Sequence, residues 1–228
     1  MAELISALRA QTIRENLERL QEEIAQAVAR RSPGAASPDA PGVEILAATK
    51  YVALEGLPLL AEAGVGLVGE NRAQDLQGKV AAHGELFEWD FIGQLQSRRV
   101  RLIVPHVRLI HSVASESALR ELARHREQAR PGMRILIEVN LAEEPGKAGI
   151  APRELDSFIE RAPVPVAGLM TMPPRSEDPA ASRPWFAALR ELARERGLER
   201  LSMGTSQDYL VAVEEGATIV RIGTSLYH

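Results

Sequence analysis

Lys50 closes an apolar run that begins at Val43 and ends Ala47-Ala48-Thr49, and it is the residue here best suited to covalent chemistry. A lysine pointing into a partly dry pocket loses its proton more easily than one in water. The neutral amine can then attack an aldehyde and form a Schiff base. A lysine at a strand end can equally snorkel its ammonium to solvent, and residue type alone leaves both readings open. Two segments could hold an anion: Met203-Gly204-Thr205-Ser206 and Ile222-Gly223-Thr224-Ser225. Glycine lets backbone approach an anion closely, and Ser206 and Thr224 add hydroxyl donors. The helix expected after Ser206 adds free N–H groups and a positive dipole end. The alternative is that Ser206 only caps a helix and Gly223 only turns the chain. Arg221 stands inside an apolar strand end, where it needs a carboxylate, a phosphate or a ring nitrogen as partner. A structural salt bridge would satisfy it as well.

These residues need elements that bring them together. Short apolar runs alternate with helical patterns along the chain. The expected strands are Val43–Thr49, Gly66–Gly69, Phe91–Gly93, Leu109–Val113, Arg134–Asn140, Val166–Met170, Arg200–Met203 and Thr218–Ile222. Most are continuous rather than alternating, which suits parallel strands buried on both faces. A count of about eight points to a (β/α)8 barrel rather than an open doubly wound sheet. In such a barrel the site lies at the C-terminal ends of the strands, and polar residues follow the runs there: Lys50, then Glu70-Asn71-Arg72, Gln94-Leu95-Gln96 and Asn140. The two glycine segments fall after strands seven and eight, where barrels often bind phosphate.

Helices are expected between the strands. Ile13, Leu17, Leu20, Ile24 and Val28 share one face of an opening helix, and Arg31 to Gly42 reads as a loop. Ser115 caps a helix that turns Leu119 and Leu122 inward, and Pro152 opens another. Trp185, Leu189 and Leu192 mark a helix stopped by Gly197, and Ser206 to Glu215 ends the same way at Gly216. The whole, residues 1–228, reads as one domain, with the helix of residues 1–31 packed on the barrel.

Composition narrows the class of function. The chain has 228 residues, enough for one sizeable core, and a formal net charge of −4, which is no footprint of a nucleic-acid binder. Arg98, Arg99 and Arg101 form a local exception that reads as a solvated helix start. There is no cysteine, so disulfides and thiolate chemistry are excluded. His83, His106, His111 and His125 lack metal-ligand spacing, and no metal is expected. No run has the length and apolarity of a membrane span, and the start lacks a secretory signal, so a soluble cytoplasmic protein is expected.

The segments taken together resemble a known family, the pyridoxal 5′-phosphate (PLP) homeostasis proteins, or YggS/PROSC proteins. Leu46 to Lys50, Gly69-Glu70-Asn71, Trp89 to Gln96, Ile110 to Val113, Glu138 to Asn140, Lys147 to Gly149, Gly168 to Met170, Leu201 to Asp208 and Gly216 to Thr224 carry the resemblance, in order and spacing. It implies a lone PLP-binding barrel similar to the N-terminal domain of alanine racemase (PLP fold type III), with an extra N-terminal helix. It also implies PLP held by Lys50 as an aldimine, Arg221 facing the pyridine nitrogen, Ser206, Gly223 and Thr224 on the phosphate, and Asn71 beside the ring. The chain departs from the family pattern at Asp90 (usually His), Arg98-Arg99 (Asn-Lys), Ala114 (Asp), Thr205 (Met) and His228 (Gly).

The function implied is binding and carriage of PLP, with apo PLP-dependent enzymes as recipients, by a monomer with no assigned catalytic residue. Lys147 or Lys79 could offer a second amine. The alternative is a PLP-dependent racemase-like enzyme. It would need a second acid–base group opposite the lysine, and none of Tyr51, Tyr209 and Tyr227 obviously fills that role. A third reading, a sugar-phosphate aldolase without cofactor, usually carries its lysine on a later strand than the first.

Overall fold

The structure, a computed structural model, describes residue 5, residues 7–31 and residues 42–228. Eight parallel strands close into a barrel in sequence order. They are β1 (Glu44–Ala48), β2 (Leu67–Glu70), β3 (Glu88–Phe91), β4 (Leu109–Val113), β5 (Arg134–Glu138), β6 (Val166–Met170), β7 (Arg200–Thr205) and β8 (Ile219–Ile222). Closure comes from β1 against β8, with Glu44 beside Ile219 and Ala47 beside Ile222. Barrel geometry and strand count therefore follow the expectation from sequence.

Side chains alternate along each strand, so every strand feeds two layers. Leu46, Leu109, Leu136, Met170 and Ile219 pack together as one cluster. The remaining apolar strand residues pack in a larger one with the helices: α1 (Ala10–Ala29), α2 (Leu57–Glu62), α3 (Ala73–His83), α4 (Val100–Ile103), α5 (Glu116–His125), α6 (Leu155–Glu160), α7 (Arg183–Arg194), α8 (Tyr209–Glu214) and α9 (Thr224–Tyr227). Burial on both faces explains the continuous apolar runs. No described helix is long and apolar enough to cross a membrane.

Several boundaries differ from the reading of the sequence. The third strand is Glu88–Phe91, not Phe91–Gly93, because Asp90 is a fully buried strand residue that Arg108 neutralises. A charge within a strand hides it from a search for apolar runs. The fifth strand stops at Glu138 rather than Asn140, and the seventh runs on to Thr205.

Two helix faces are turned from the expected ones. In α1 the buried set is Ile13, Leu20, Ile24 and Ala27, and Val28 is exposed. In α7 it is Phe186, Leu189 and Ala193, so Trp185 and Leu192 sit at the margin. Ser115 accepts the N–H of Ala118 and caps α5 as expected. Pro152 opens a short 3-10 turn, Pro152–Glu154, that leads into α6. Arg98 and Arg99 lie in the turn before α4 and Arg101 within it. The loop expected over Arg31–Gly42 falls largely on residues 32–41, outside the described residues.

The helix α1 packs across the outside of the barrel against α8 and α9. Asn16 donates to the carbonyl oxygens of Leu226 and His228, each at 3.2 Å, and Arg31 donates to those of Val213 and Ala217. This contact steadies the chain that follows β8, and one rim of the candidate site is built there.

Candidate functional site

A cavity of about 630 Å³ opens at the C-terminal ends of the strands. Lys50, Asn71, Ser206, Arg221, Gly223 and Thr224 all line it, so all six residues picked from the sequence meet in one place. They come from four strand ends: after β1, after β2, after β7, and within and after β8.

Lys50 is exposed at the cavity wall, with its Nζ 4.8 Å from the centre of the Tyr51 ring. Among the described residues it makes no hydrogen bond or ion pair, so its amine is available. The peptide behind it is held firmly. Thr49 is fully buried and its Oγ1 lies 2.8 Å from Glu70 Oε1. Lys79 reaches back from α3 to donate to the Thr49 carbonyl oxygen at 2.8 Å and to pair with Glu70. The other Glu70 oxygen, Oε2, accepts the N–H of Asn71 at 3.1 Å. Glu70 therefore ties together the two loops that carry Lys50 and Asn71.

Lys79 is thus a buried, paired cation and not a second free amine. Lys147 is likewise paired, with Glu144 at 2.6 Å. Glu70 stands among the polar residues expected at the strand ends, but its pairing with Lys79 emerges only from the structure. Glu70 ends β2 beside Asn71.

Among the described residues, the buried Oδ1 of Asn71 has no hydrogen-bond partner. A buried amide oxygen with no partner is costly, and Asn71 is also one of the residues around the cavity. Gly93 fixes its backbone. A Cβ on Gly93 would lie 2.0 Å from the Asn71 carbonyl oxygen, so only glycine fits.

On the opposite rim, Ser206 does not cap α8, which begins at Tyr209 after Asp208. Its Oγ instead accepts the N–H groups of Gly223 at 3.2 Å and Ser225 at 3.5 Å, across from the next loop. The hydroxyl hydrogen stays free to donate. No helix starts at Ser206 to offer the free N–H groups expected there, and its hydroxyl is instead tied to the turn after β8. Gly204 has φ +89°, and a Cβ there would strike Tyr209 and Ala212. Asp208 closes the same loop by accepting from the Thr205 N–H at 2.8 Å.

Arg221 is buried and forms no ion pair within the described residues, so the salt-bridge reading does not hold. Neutral acceptors hold it: Ser202 Oγ at 2.5 Å, the Thr171 carbonyl oxygen at 3.2 Å and Met172 Sδ at 2.9 Å. Burial pulls its pKa down to about 10, against the more distant charges of Glu138 and Asp208, so it stays protonated at neutral pH. Burial also raises the Glu138 carboxyl above the usual carboxylate range.

The cavity thus offers a free amine, an amide side chain, a fixed cation and hydroxyl donors. This set suits a small molecule with an aldehyde, a hydrogen-bonding ring and a phosphate. Tyr209 and Tyr227 are committed elsewhere, to Glu23 and to the Ala48 carbonyl oxygen. Tyr51 lies beside the lysine.

Comparisons with known proteins identify relatives of the whole chain. Residues 40–228 match the family model described as the alanine racemase N-terminal domain. The chain is 38% identical over 224 residues to the pyridoxal phosphate homeostasis protein of Aquifex aeolicus, covering 93% of this chain and 96% of that protein. To its namesake in Pseudomonas aeruginosa it is 35% identical over 223 residues, covering 95% of each. Among solved structures, PipY of Synechococcus elongatus PCC7942 with PLP bound superposes with a TM-score of 0.76 at 30% identity, covering 95% of this chain and 100% of that one.

Proposed function

The chain belongs to the family of pyridoxal phosphate homeostasis proteins, built on an alanine racemase N-terminal domain, and on that premise we propose that it binds and carries PLP at the cavity around Lys50. The observation that carries this reading is the convergence of the free Lys50 amine, Asn71, the Ser206 hydroxyl and the Arg221 cation on one cavity. When bound, PLP supplies an aldehyde that condenses reversibly with an amine, losing water, and a pyridine ring that can draw electron density from what is attached to it.

This chain's residues have separable tasks in that reading. Lys50 is the amine that takes the aldehyde. Ser206 and Thr224 take the phosphate through their hydroxyls, and Gly223, whose N–H is given to Ser206, lets the backbone come close to it. Arg221 meets the pyridine nitrogen, where its fixed positive charge opposes protonation of the ring. Asn71 satisfies its amide against the cofactor. Carriage completes the reading: a cytoplasmic monomer that releases PLP to apo PLP-dependent enzymes when another amine competes with Lys50. The aldehyde chemistry is reversible, so release needs no residue beyond those that bind.

The test is the visible spectrum of the purified chain with PLP added, before and after borohydride, for wild type and Lys50→Ala. A yellow band that borohydride abolishes, with pyridoxyl mass on the Lys50 peptide, supports the reading. A wild-type chain that takes up no PLP overturns it.

A further inference from the structure

A line of hydrogen-bonded polar side chains runs through the barrel from its base to the cavity. At the base, Arg108 donates to Glu44 through Nη1 and Nη2, each at 2.8 Å, and Arg200 donates to the same carboxylate at 3.1 Å. Arg108 also donates to Asp90, from Nε at 2.9 Å and from Nη2 at 3.1 Å. Asp90 Oδ2 lies 3.1 Å from His111 Nε2, and His111 Nδ1 lies 2.8 Å from Ser202 Oγ. Ser202 Oγ is the acceptor for Arg221 at the cavity wall. Asp90, His111 and Ser202 are fully buried or nearly so.

Proton counting gives this line one direction. Arg221 can only donate, so Ser202 accepts from it and has its own hydrogen to give. Burial, opposed by Asp90 and reinforced by Arg221 and Arg108, lowers the His111 pKa and so favours the neutral ring with one proton. The Asp90 carboxylate can only accept, which places that proton on Nε2. Nδ1 is then bare and takes the Ser202 hydrogen. Ser202 thereby turns its lone pairs to Arg221. Each group has one orientation only, because both ends of the line are charged.

We propose that Asp90 is a positioning residue for the PLP site: through the His111 tautomer and Ser202 it holds the Arg221 guanidinium at the cavity wall. The inference rests on the PLP reading above. Among the described residues Asp90 is the only carboxylate hydrogen-bonded to His111, so it alone decides which ring nitrogen carries the proton. A histidine there would not force the tautomer, since either of its ring nitrogens could face His111.

Two measurements test it. The first is ¹⁵N NMR of the histidine-labelled chain at neutral pH without added PLP. It is expected to show His111 protonated on Nε2 alone. A proton on Nδ1, or on both nitrogens, overturns the inference. The second is a cycle of PLP dissociation constants for wild type, Asp90→Asn, Ser202→Ala and the double variant. Each single change is expected to weaken binding about tenfold, and the double no further, because both break one line. Additive losses, or no loss, overturn the inference, since a merely structural role leaves the two changes independent. Where Asp90→Asn does not fold, Asp90→Asn with Arg108→Met removes both charges and replaces it in the cycle. Normal wild-type binding with an additive cycle refutes the role of Asp90 alone. A wild type that takes up no PLP refutes the function reading and the inference with it.

Discussion

Lys79 donates its Nζ proton to the carbonyl oxygen of Thr49 at 2.8 Å, and so anchors the peptide that carries Lys50. The same ammonium neutralises Glu70 in a pocket closed to water. Breaking one side of a buried pair leaves the other charge stranded. Lys79→Met is therefore expected to cost about 3–5 kcal/mol of stability. Glu70→Gln added to it restores much of that loss. Urea unfolding of the single and double variants checks both statements.

Arg221 sits in the cavity wall without an ion-pair partner in the described residues, which is an unfavourable place for a charge. Arg221→Met keeps the stem and removes the charge. The expected result is a gain of about 1–2 kcal/mol, or a few degrees in Tm, without ligand. PLP binding weakens at the same time. Calorimetry of the ligand-free protein beside a PLP titration tests this trade-off. A variant that loses stability would show that Arg221 holds the strand ends together.

Gly93 lies against the Asn71 backbone with no space for a methyl group. Gly93→Ala must push the loop after β2 outwards. It is expected to destabilise the protein by about 1–3 kcal/mol and to weaken PLP binding, since Asn71 moves with its loop. Gly78→Ala, on an open face of α3, serves as the control and should leave binding unchanged.

Burial holds the pKa values of His106 and His111 below the ordinary histidine value. On acidification the unfolded chain therefore takes up protons before the folded one does. Stability is full above about pH 6.5 and falls as the pH drops below it, by at most about 1.4 kcal/mol per pH unit for each histidine. His106→Asn should flatten that decline between pH 6.5 and 5. Denaturation midpoints across the range measure the slope.

Much of the fold and site was legible in the residues themselves. Eight apolar runs separated by helical patterns determine the barrel, because strands buried on both faces need apolar residues at nearly every position. The rule that barrel chemistry gathers at the strand C-termini pointed to Lys50, Ser206, Arg221, Gly223 and Thr224, the family resemblance added Asn71, and all six converge on one cavity. What failed was the start of β3, where Asp90 is a charge inside the barrel. Only the fold brings Arg108, eighteen residues later, within reach to neutralise it. The role of Ser206 was hidden for a similar reason. As a local sequence it reads as a helix cap, yet its hydroxyl serves the loop seventeen residues on. The same is true of Lys79, which by residue type could offer a second amine until Glu70 is placed beside it. Periodic patterns and strand-end positions are local, so one chain segment determines them. Which buried charges meet, and which polar groups are left for a ligand, depends on segments far apart in sequence, and the closed barrel alone decides it.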